Sequence, residues 1–259
     1  MALLPDRALV RVEGSDWRPF LHNLLTNDIE GLEPGRLRFT ALLTPQGRLL
    51  HDLFVLAGEA GALLDVAAPG REALIKRLTL YRLRAKVLIE AVEGSVAVAW
   101  GAAPPGPAWA ADPRLSEMGW RALGYDGPLE ATPDDYDLHR LTLGVPDSAR
   151  DASESTYPIE ANFDLLNGID FKKGCFIGQE TTSRMKRRGA VKTRMAPIAY
   201  AKPPAQGAEI LNGDLRAGVV LSTRADRGMA LLRLDRIGEN LTADGEPVSP
   251  VFPAWLAAA

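Results

Sequence analysis

Residues 170–189 read DFKKGCFIGQETTSRMKRRG and contain the one cysteine of the 259-residue chain. Cys175 lies between two glycines, which give the backbone freedom on either side of the thiol. The residues that follow predict a helix over 179–188, with an acid near its start, cations at its end and Gly189 as its stop. The stretch therefore predicts a thiol on a short loop directly before a helix.

Two interpretations of Cys175 follow from its surroundings. A thiol just before a helix N-terminus and beside Lys172 and Lys173 is in a setting that lowers a cysteine pKa and keeps the thiolate accessible. A lone cysteine also commonly serves as a small buried hydrophobic residue. One thiol excludes an intrachain disulfide and cannot alone hold a structural zinc or an iron–sulfur cluster. Any cluster at this position needs ligands from another molecule.

The composition is that of an ordinary globular protein, with 46% hydrophobic and 24% charged residues. The length favours two or three modest domains. The net charge of −3 offers no global attraction to nucleic acid, so DNA is not an expected partner. The N-terminal residues lack a basic segment followed by a long apolar run, and no window has 18 uninterrupted apolar residues. These patterns predict no membrane segment and a cytoplasmic protein.

The first hundred residues predict short strands and two helices. The turn TPQG at 44–47 separates two apolar runs and predicts a hairpin, and Gly14-Ser15-Asp16 predicts a turn and helix N-cap. The predicted strands are residues 7–12, 37–43, 48–56, 63–67, 87–92 and 96–100, and the predicted helices begin after Asp16 and Pro69. From the strand at 48–56 onward, the ββαββ order with one helix among short strands suggests a small α+β sandwich that resembles a split ferredoxin-like module.

The remaining chain divides into a linker, a helix and a run of short strands. Residues 101–113 contain four prolines and predict a long surface loop. Thr132-Pro133 predicts the start of a helix over 133–143. Frequent Gly, Pro and Asn-Gly turns predict a small antiparallel barrel whose strands are residues 195–200, 209–211, 217–222, 229–234 and 248–251.

Residues 173–180, KGCFIGQE, followed by Arg184, resemble the signature of the YgfZ family of folate-binding iron–sulfur assembly proteins, relatives of the glycine-cleavage T-protein. The resemblance extends over most of the chain. Further matching segments are GSD at 14–16, FL at 20–21, LTND at 25–28, TPQGR at 44–48, LR at 83–84, KV at 86–87 and NGIDF at 167–171.

The resemblance implies an α+β, T-protein-like fold: a three-domain ring around a central channel, with a ferredoxin-like module and a C-terminal antiparallel β-barrel. Placed on this sequence, the discontinuous folate-binding core comprises residues 1–44 plus 114–192. The ferredoxin-like module and linker occupy residues 45–113, and the barrel occupies residues 193–259.

The same resemblance implies tetrahydrofolate as the ligand and Cys175 as the reactive group facing the channel. Glu160 takes the position whose carboxylate can accept the adjacent N–H donors of a pterin ring. Asn27, Arg184 and Lys173 are the other expected folate-binding residues, with Arg184 suited to the carboxylates of the folate tail. From the residues alone, Asn27 also fits a turn or cap, and Glu160 also fits a solvated loop acid.

The leading hypothesis is a tetrahydrofolate-binding accessory factor for assembly or repair of iron–sulfur enzymes, with iron–sulfur client or assembly proteins as partners. The alternative is a folate-dependent aminomethyl transferase. T-proteins carry two successive aspartates in the strand after the hairpin turn, whereas this chain has His51-Asp52, which disfavours that chemistry but leaves Asp52 as a candidate for the needed aspartate. A third possibility is a non-catalytic scaffold in which Cys175 is merely buried. The sequence leaves open whether a reaction is catalysed.

Overall fold

The computed structural model describes residues 1–102, 104, 106–187 and 191–257. The chain forms two compact units, each discontinuous in sequence: Met1–Pro133 with Leu166–Glu180, and Asp134–Leu165 with Thr181–Ala259. The strands are β1 (Ala2–Leu3), β2 (Arg7–Glu13), β3 (Leu37–Leu43), β4 (Leu49–Ala57), β5 (Gly61–Ala67), β6 (Leu88–Val92), β7 (Val96–Ala99), β8 (Ala110–Ala111), β9 (Trp120–Leu123), β10 (Thr193–Tyr200), β11 (Glu209–Asn212), β12 (Leu215–Arg224), β13 (Arg227–Arg233), β14 (Leu241–Ala243) and β15 (Glu246–Pro250). The α-helices are α1 (Trp17–Leu24), α2 (Arg71–Arg82), α3 (Pro133–Leu143), α4 (Ser148–Asp151), α5 (Gln179–Arg187) and α6 (Ala254–Ala257).

A five-stranded antiparallel sheet, in the spatial order β3-β4-β5-β2-β6, forms the larger layer of the first unit. The predicted strands and the hairpin at residues 44–47 are confirmed. Val10 and Leu64 of the sheet share one core with Trp17 and Leu21 of α1 and Leu74 of α2. Full burial of each large side chain contributes about 1.5–3 kcal/mol. This shared core holds both helices on one face of the sheet.

The Gly14-Ser15-Asp16 turn has a different role from the predicted N-cap. The Asp16 side chain makes no capping hydrogen bond to α1. Its Oδ2 instead accepts a hydrogen bond from the Lys86 backbone N–H at 2.8 Å, and this bond lowers the pKa of Asp16. Gly14 has φ +129°, and a Cβ there would lie 2.1 Å from the Lys86 carbonyl oxygen. The turn therefore holds the segment between α2 and β6.

A second antiparallel sheet, in the order β1-β7-β9-β8, completes the first unit. The strands on either side of Glu93-Gly94 are confirmed, but they belong to different sheets, since β6 pairs with β2 while β7 pairs with β1 and β9. The predicted surface loop at 101–113 is wrong at its end. There β8 pairs with β9, and Asp112 is buried in a 2.7 Å ion pair with Arg114. Ala103 and Pro105 of this predicted loop lie outside the described residues.

The second unit contains a closed six-stranded antiparallel barrel in the order β10-β13-β12-β11-β14-β15. The predicted barrel is therefore confirmed, and so is the helix over 133–143. Ile198, Val220 and Leu232 are at most 1% exposed and belong to its core. The sequence pattern does not predict β14, because three residues give too short an alternation, yet β14 pairs with both β11 and β15 and so closes the barrel.

The two units do not follow the expected domain boundaries. β3 pairs with β4 across the boundary placed after residue 44, and residues 166–180 join the first unit. The three-domain division stays a prediction. In the described part of the chain, no helix is long and apolar enough to cross a membrane.

Candidate functional site

The loop that carries Cys175 is tied to the N-terminal segment by Thr26. The Thr26 carbonyl oxygen accepts a hydrogen bond from the Asp170 backbone N–H at 3.1 Å. The Thr26 hydroxyl donates to the Gly168 carbonyl oxygen at 2.7 Å. Thr26 is fully buried, where an unpaired polar group is costly. These two bonds therefore fix the start of the Cys175 loop against the first unit.

Asn27 serves as both a structural tie and a pocket wall. Its Nδ2 donates to the carbonyl oxygens of Asn167 at 2.6 Å and Phe39 at 2.9 Å, and its Oδ1 accepts from the Asp28 N–H. It also borders a polar pocket of about 340 Å³, which we call the Arg38 pocket. The pocket is lined by Asn27, Arg38, Pro113, Asn167, Ile169 and Asp170. Asn27 therefore both holds a turn and lines a pocket, so the two interpretations of this residue are compatible.

Lys173 is bound to the end of helix α1. Its ammonium donates to the Leu25 carbonyl oxygen at 2.6 Å and to the His22 carbonyl oxygen. A cation suits these carbonyls, since they lie at the negative end of the helix. Burial lowers the pKa of Lys173 to about 8, although the Asp28 carboxylate acts in the opposite direction. The lysine therefore anchors the loop to α1.

The two glycines beside Cys175 have different roles. Gly178 has φ +80°, and a Cβ there would lie 2.7 Å from the Thr44 carbonyl oxygen and 2.8 Å from Cα of Gly47. Gly178 therefore packs the Cys175 loop against the turn between β3 and β4, where only glycine fits. At Gly174 a Cβ would meet no atom within 4 Å, and its φ is not positive. Conformation requires glycine at only one of the two positions.

The Cys175 side chain is exposed, whereas the next residue, Phe176, is buried. Among the described residues, no hydrogen bond to the thiol is found. Helix α5 begins four residues later and is confirmed as far as Arg187; Arg188 and the predicted stop at Gly189 lie outside the described residues. An exposed thiol on a loop that is fixed at Thr26, Lys173 and Gly178 is available to coordinate a metal centre or to act as a nucleophile.

Glu160 lies in the second unit and is partly buried. Its Oε2 accepts a hydrogen bond from the Tyr157 N–H at 2.9 Å, and its backbone carbonyl accepts from the Met195 N–H at 2.7 Å. Arg194 holds the same segment with a bidentate pair to Asp164 at 2.9 and 3.0 Å. Glu160 is therefore a hydrogen-bonded carboxylate on a well-anchored turn.

Arg184 also lies in the second unit, on helix α5, and its side chain is exposed. Within the described ranges it has no ion pair or hydrogen bond from its guanidinium. Its charge is thus available to a ligand. The first unit carries Asn27, Lys173 and Cys175, and the second carries Glu160 and Arg184. The functional roles assigned to these five residues stay predictions.

Asp52 belongs to a buried ionic group that we call the Phe54 cluster. The cluster consists of Arg7, Asp52, Phe54, Asp65, Asp112, Arg114 and Arg121. Arg7 pairs with Asp52 at 3.1 Å and with Asp65 at 2.6 Å, and Arg121 pairs with Asp65 at 2.6 Å. Guanidinium groups also lie over the Phe54 ring, that of Arg121 at 3.9 Å. The Asp52 carboxylate is therefore engaged in the interior of the unit.

His51 differs from its neighbour in orientation and charge. It is partly exposed, and a Cβ on Gly70 would lie 3.0 Å from its Nδ1. Burial lowers the pKa of His51 below its ordinary value, with the Asp52 charge acting in the opposite direction. The His51-Asp52 pair thus provides one neutral imidazole and one salt-bridged carboxylate near pH 7.

Arg38 and Asp65 are not among the site residues expected from the sequence. Each is the one charged residue of its strand, in LRFTALL and GALLDVA respectively. A single charge within an apolar strand signals a special role, because charged side chains are rarely buried without a partner. That signal marks the residues but does not reveal what they contact.

Comparison with known proteins first defines the fold class. Residues 192–258 match the family model for the CAF17 C-terminal beta-barrel domain. The chain also superposes on the crystal structure of glycine cleavage system aminomethyltransferase T from Bartonella henselae, with a TM-score of 0.79 and 17% identity, over 98% of this chain and 85% of that chain. The fold is therefore T-protein-like, as expected, and at this identity the match shows the fold alone.

Curated relatives define the family. The human mitochondrial iron–sulfur cluster assembly factor IBA57 is 35% identical over 90% of this chain and 77% of its own length. The Mycosarcoma maydis homologue is 31% identical over 79% of this chain, and the match spans 59% of that longer protein. The chain belongs to the IBA57 family of iron–sulfur cluster assembly factors.

Both relatives are described as mitochondrial. The expectation of a cytoplasmic protein is therefore wrong. That expectation came from composition and the first residues, whereas location is set by signals that transport receptors read and not by the folded core.

Proposed function

We propose that this protein acts in the assembly of iron–sulfur clusters, with the Cys175 thiolate as one ligand to a cluster that a partner protein also ligates. The observation that carries the proposal is an exposed thiol on an anchored loop, in a chain of the assembly-factor family. One thiolate is too few to hold a cluster. The partner must supply the remaining ligands, which suits a transfer step in which the cluster passes between proteins.

Tetrahydrofolate is the ligand we propose for the same protein. Glu160 offers a carboxylate for the N–H donors of the pterin, and Arg184 offers an exposed guanidinium for a carboxylate. Asn27 lines the Arg38 pocket. Lys173 uses two of its three N–H donors on carbonyl oxygens, which leaves one for a ligand. These groups have the chemistry that a folate requires.

Aminomethyl transfer is the less favoured activity. It would need Asp52 as a catalytic carboxylate, but Arg7 holds that carboxylate at 3.1 Å and the residue is 7% exposed. The carboxylate is therefore committed to a buried ion pair and is not presented to a substrate. The geometry supports a structural role for Asp52.

The role of the thiol is tested by complementation in cells that lack their own member of this family. Cys175→Ser keeps the size of the side chain and removes the thiolate. We expect this variant to leave iron–sulfur enzyme activities at least tenfold below those restored by the wild type. Lys76→Ala, which removes an exposed lysine of α2 outside the Cys175 loop, is the control and should restore them. Full restoration by Cys175→Ser would show that the thiol is not a cluster ligand.

Folate binding is tested by calorimetric titration with tetrahydrofolate under anaerobic conditions. We expect Glu160→Gln to bind at least tenfold more weakly than the wild type, whereas Glu154→Gln, an exposed acid on the same segment, should bind equally well. Absence of binding by the wild type would dispose of the folate proposal and leave the thiol proposal standing.

A further inference from the structure

The Arg38 pocket has one cationic group among its six described lining residues. Its volume of about 340 Å³ falls within the range of about 300–1,000 Å³ that is typical of small-molecule sites. All six residues belong to the first unit, so the pocket is formed within that unit. Nothing in the sequence signature draws attention to Arg38.

The Arg38 guanidinium is incompletely paired. Its Nε is buried and has no hydrogen-bond partner within the described residues. Across the same residues Arg38 makes no ion pair with a carboxylate. A buried N–H group without an acceptor costs free energy and is rare in native structures, so each case calls for an explanation. A ligand carboxylate that pairs with the guanidinium would offset this cost.

The neighbouring groups restrict what the ligand must carry. Both N–H donors of the Asn27 amide are used, on Asn167 and Phe39 carbonyl oxygens. Asn167 Nδ2 donates to the Pro113 carbonyl oxygen at 2.9 Å. Asn167 keeps one amide N–H, and the other polar groups that the side chains offer the pocket, apart from Arg38, are oxygen acceptors. A complementary ligand carries a carboxylate for Arg38 and an N–H donor a few atoms away.

Asp170 is the second charged residue of the pocket. Its Oδ1 accepts a hydrogen bond from the Lys172 N–H at 2.7 Å, and this bond fixes the carboxylate at the start of the Cys175 loop. Asp170 and Arg38 form no ion pair with each other at a distance of 4.0 Å or less in this part of the structure. The two charges thus remain available to opposite ends of a ligand.

We propose that the Arg38 pocket binds the carboxylate of an amino-acid-type ligand, with Arg38 as the carboxylate-binding residue and Asp170 as acceptor for the ligand's N–H. The planar guanidinium presents parallel N–H donors that match a carboxylate. Two sources share this chemistry: a free amino acid such as glutamate, and the glutamyl end of a folate. The second source rests on the proposed function, whereas the carboxylate site itself does not.

The experiment is calorimetric titration of the full chain with L-glutamate, p-aminobenzoyl-L-glutamate and tetrahydrofolate in turn. We expect p-aminobenzoyl-L-glutamate to bind the wild type, and Arg38→Gln to weaken that binding at least tenfold, a difference of about 1.4 kcal/mol. The matched control is Arg36→Gln, whose side chain is 72% exposed two residues away, and it should leave binding unchanged. Arg38→Lys keeps the charge but lacks the planar guanidinium, so its affinity should lie between those of the wild type and Arg38→Gln.

The outcomes separate this inference from the folate proposal. Arg38-dependent binding of L-glutamate alone would assign the pocket to a free amino acid. If tetrahydrofolate binds the wild type and Arg38→Gln equally well, Arg38 does not bind the carboxylate, and folate binds at another site. If the glutamyl compounds bind in an Arg38-dependent way and tetrahydrofolate does not bind, the carboxylate site is supported and the folate proposal is rejected. No binding by any of the three would overturn the inference. If Arg38→Gln is unfolded by circular dichroism, Arg38→Lys decides.

Discussion

The Phe54 cluster and the Cys175 loop both lie in the first unit, but they use polar groups in opposite ways. In the cluster, arginine and aspartate side chains are buried and form ion pairs with N···O distances of 2.6–3.1 Å. In the loop, backbone contacts and Lys173 provide the anchoring, and the thiol remains exposed. Asp52, which stands where the resemblance to T-proteins places an acidic residue, belongs to the buried cluster. The residue type alone would not have separated the two roles.

Asp65→Ala tests the structural side and should have the largest effect. The Asp65 carboxylate is fully buried and accepts from both Arg7 and Arg121, so its loss leaves two buried cations underpaired. We expect a fall of about 3–5 kcal/mol in the free energy of unfolding, measured by urea denaturation. Glu72→Ala, which removes an exposed acid, should change it by less than about 0.5 kcal/mol. A fall below 1 kcal/mol for Asp65→Ala would contradict a tightly coupled cluster.

Gly178→Ala tests how firmly the Cys175 loop is placed. The added Cβ meets the Thr44 carbonyl oxygen, and φ +80° is unfavourable for alanine. We expect a loss of about 1–3 kcal/mol in stability by the same measurement. Gly174→Ala is the matched control in the same motif. It should leave stability unchanged or raise it by up to about 1 kcal/mol, because nothing obstructs its Cβ. Equal losses at both glycines would refute the packing against the hairpin turn.

Lys173→Met removes the cation that binds the end of α1, while its chain keeps much of the apolar contact. Loss of the bonds to the His22 and Leu25 carbonyl oxygens should cost about 1–2 kcal/mol at pH 7. Lys172→Met, an exposed neighbour, should cost less than about 0.5 kcal/mol.

The pH dependence of the same variant has a defined sign. The folded-state pKa of Lys173 is about 8, below its ordinary 10.5, so between these values the unfolded chain binds more protons than the folded one. The free energy of unfolding of the wild type should therefore rise relative to Lys173→Met as the pH increases from 8 to 10.5. A difference that stays flat or falls over this window would show that Lys173 is not desolvated.

Cys175→Ala should have the smallest effect on stability, within about 0.5 kcal/mol, since an exposed side chain leaves no cavity. In the wild type, iodoacetamide should alkylate the native thiol at a rate close to that of the urea-unfolded chain. A native rate a hundredfold slower would place the thiol in the interior and favour the scaffold interpretation.

Local signals predicted much of the fold. Thr132-Pro133 marks the start of α3, and the alternating runs around residues 44–47 mark the hairpin, because caps and turns depend on a few adjacent residues. An accessible thiol at Cys175 was one of the two interpretations of the sequence, whereas the packing of Gly178 against the hairpin turn was not predicted, since both glycines were interpreted as backbone freedom alone. The Phe54 cluster was not predicted either, since Arg7 pairs with residues 45 and 58 positions away and sequence alone cannot select among the possible partners. Arg38 stands out as the one charged residue of β3, but the sequence does not reveal what it contacts, for the same reason.

The bond from Thr26 to Gly168 joins residues 142 positions apart and has a consequence for biosynthesis. During translation, residues 134–165 of the second unit emerge before the segment 166–180 that completes the first. The nascent first unit therefore lacks the Gly168 and Asn167 carbonyl oxygens that accept from Thr26 and Asn27 in the folded protein. Contacts between residues so far apart in sequence slow folding. A chain that stops before residue 166 lacks the Gly168 acceptor of the Thr26 hydroxyl and one of the two acceptors of the Asn27 amide. Until residues 166–180 have emerged, the first unit therefore lacks its last segment.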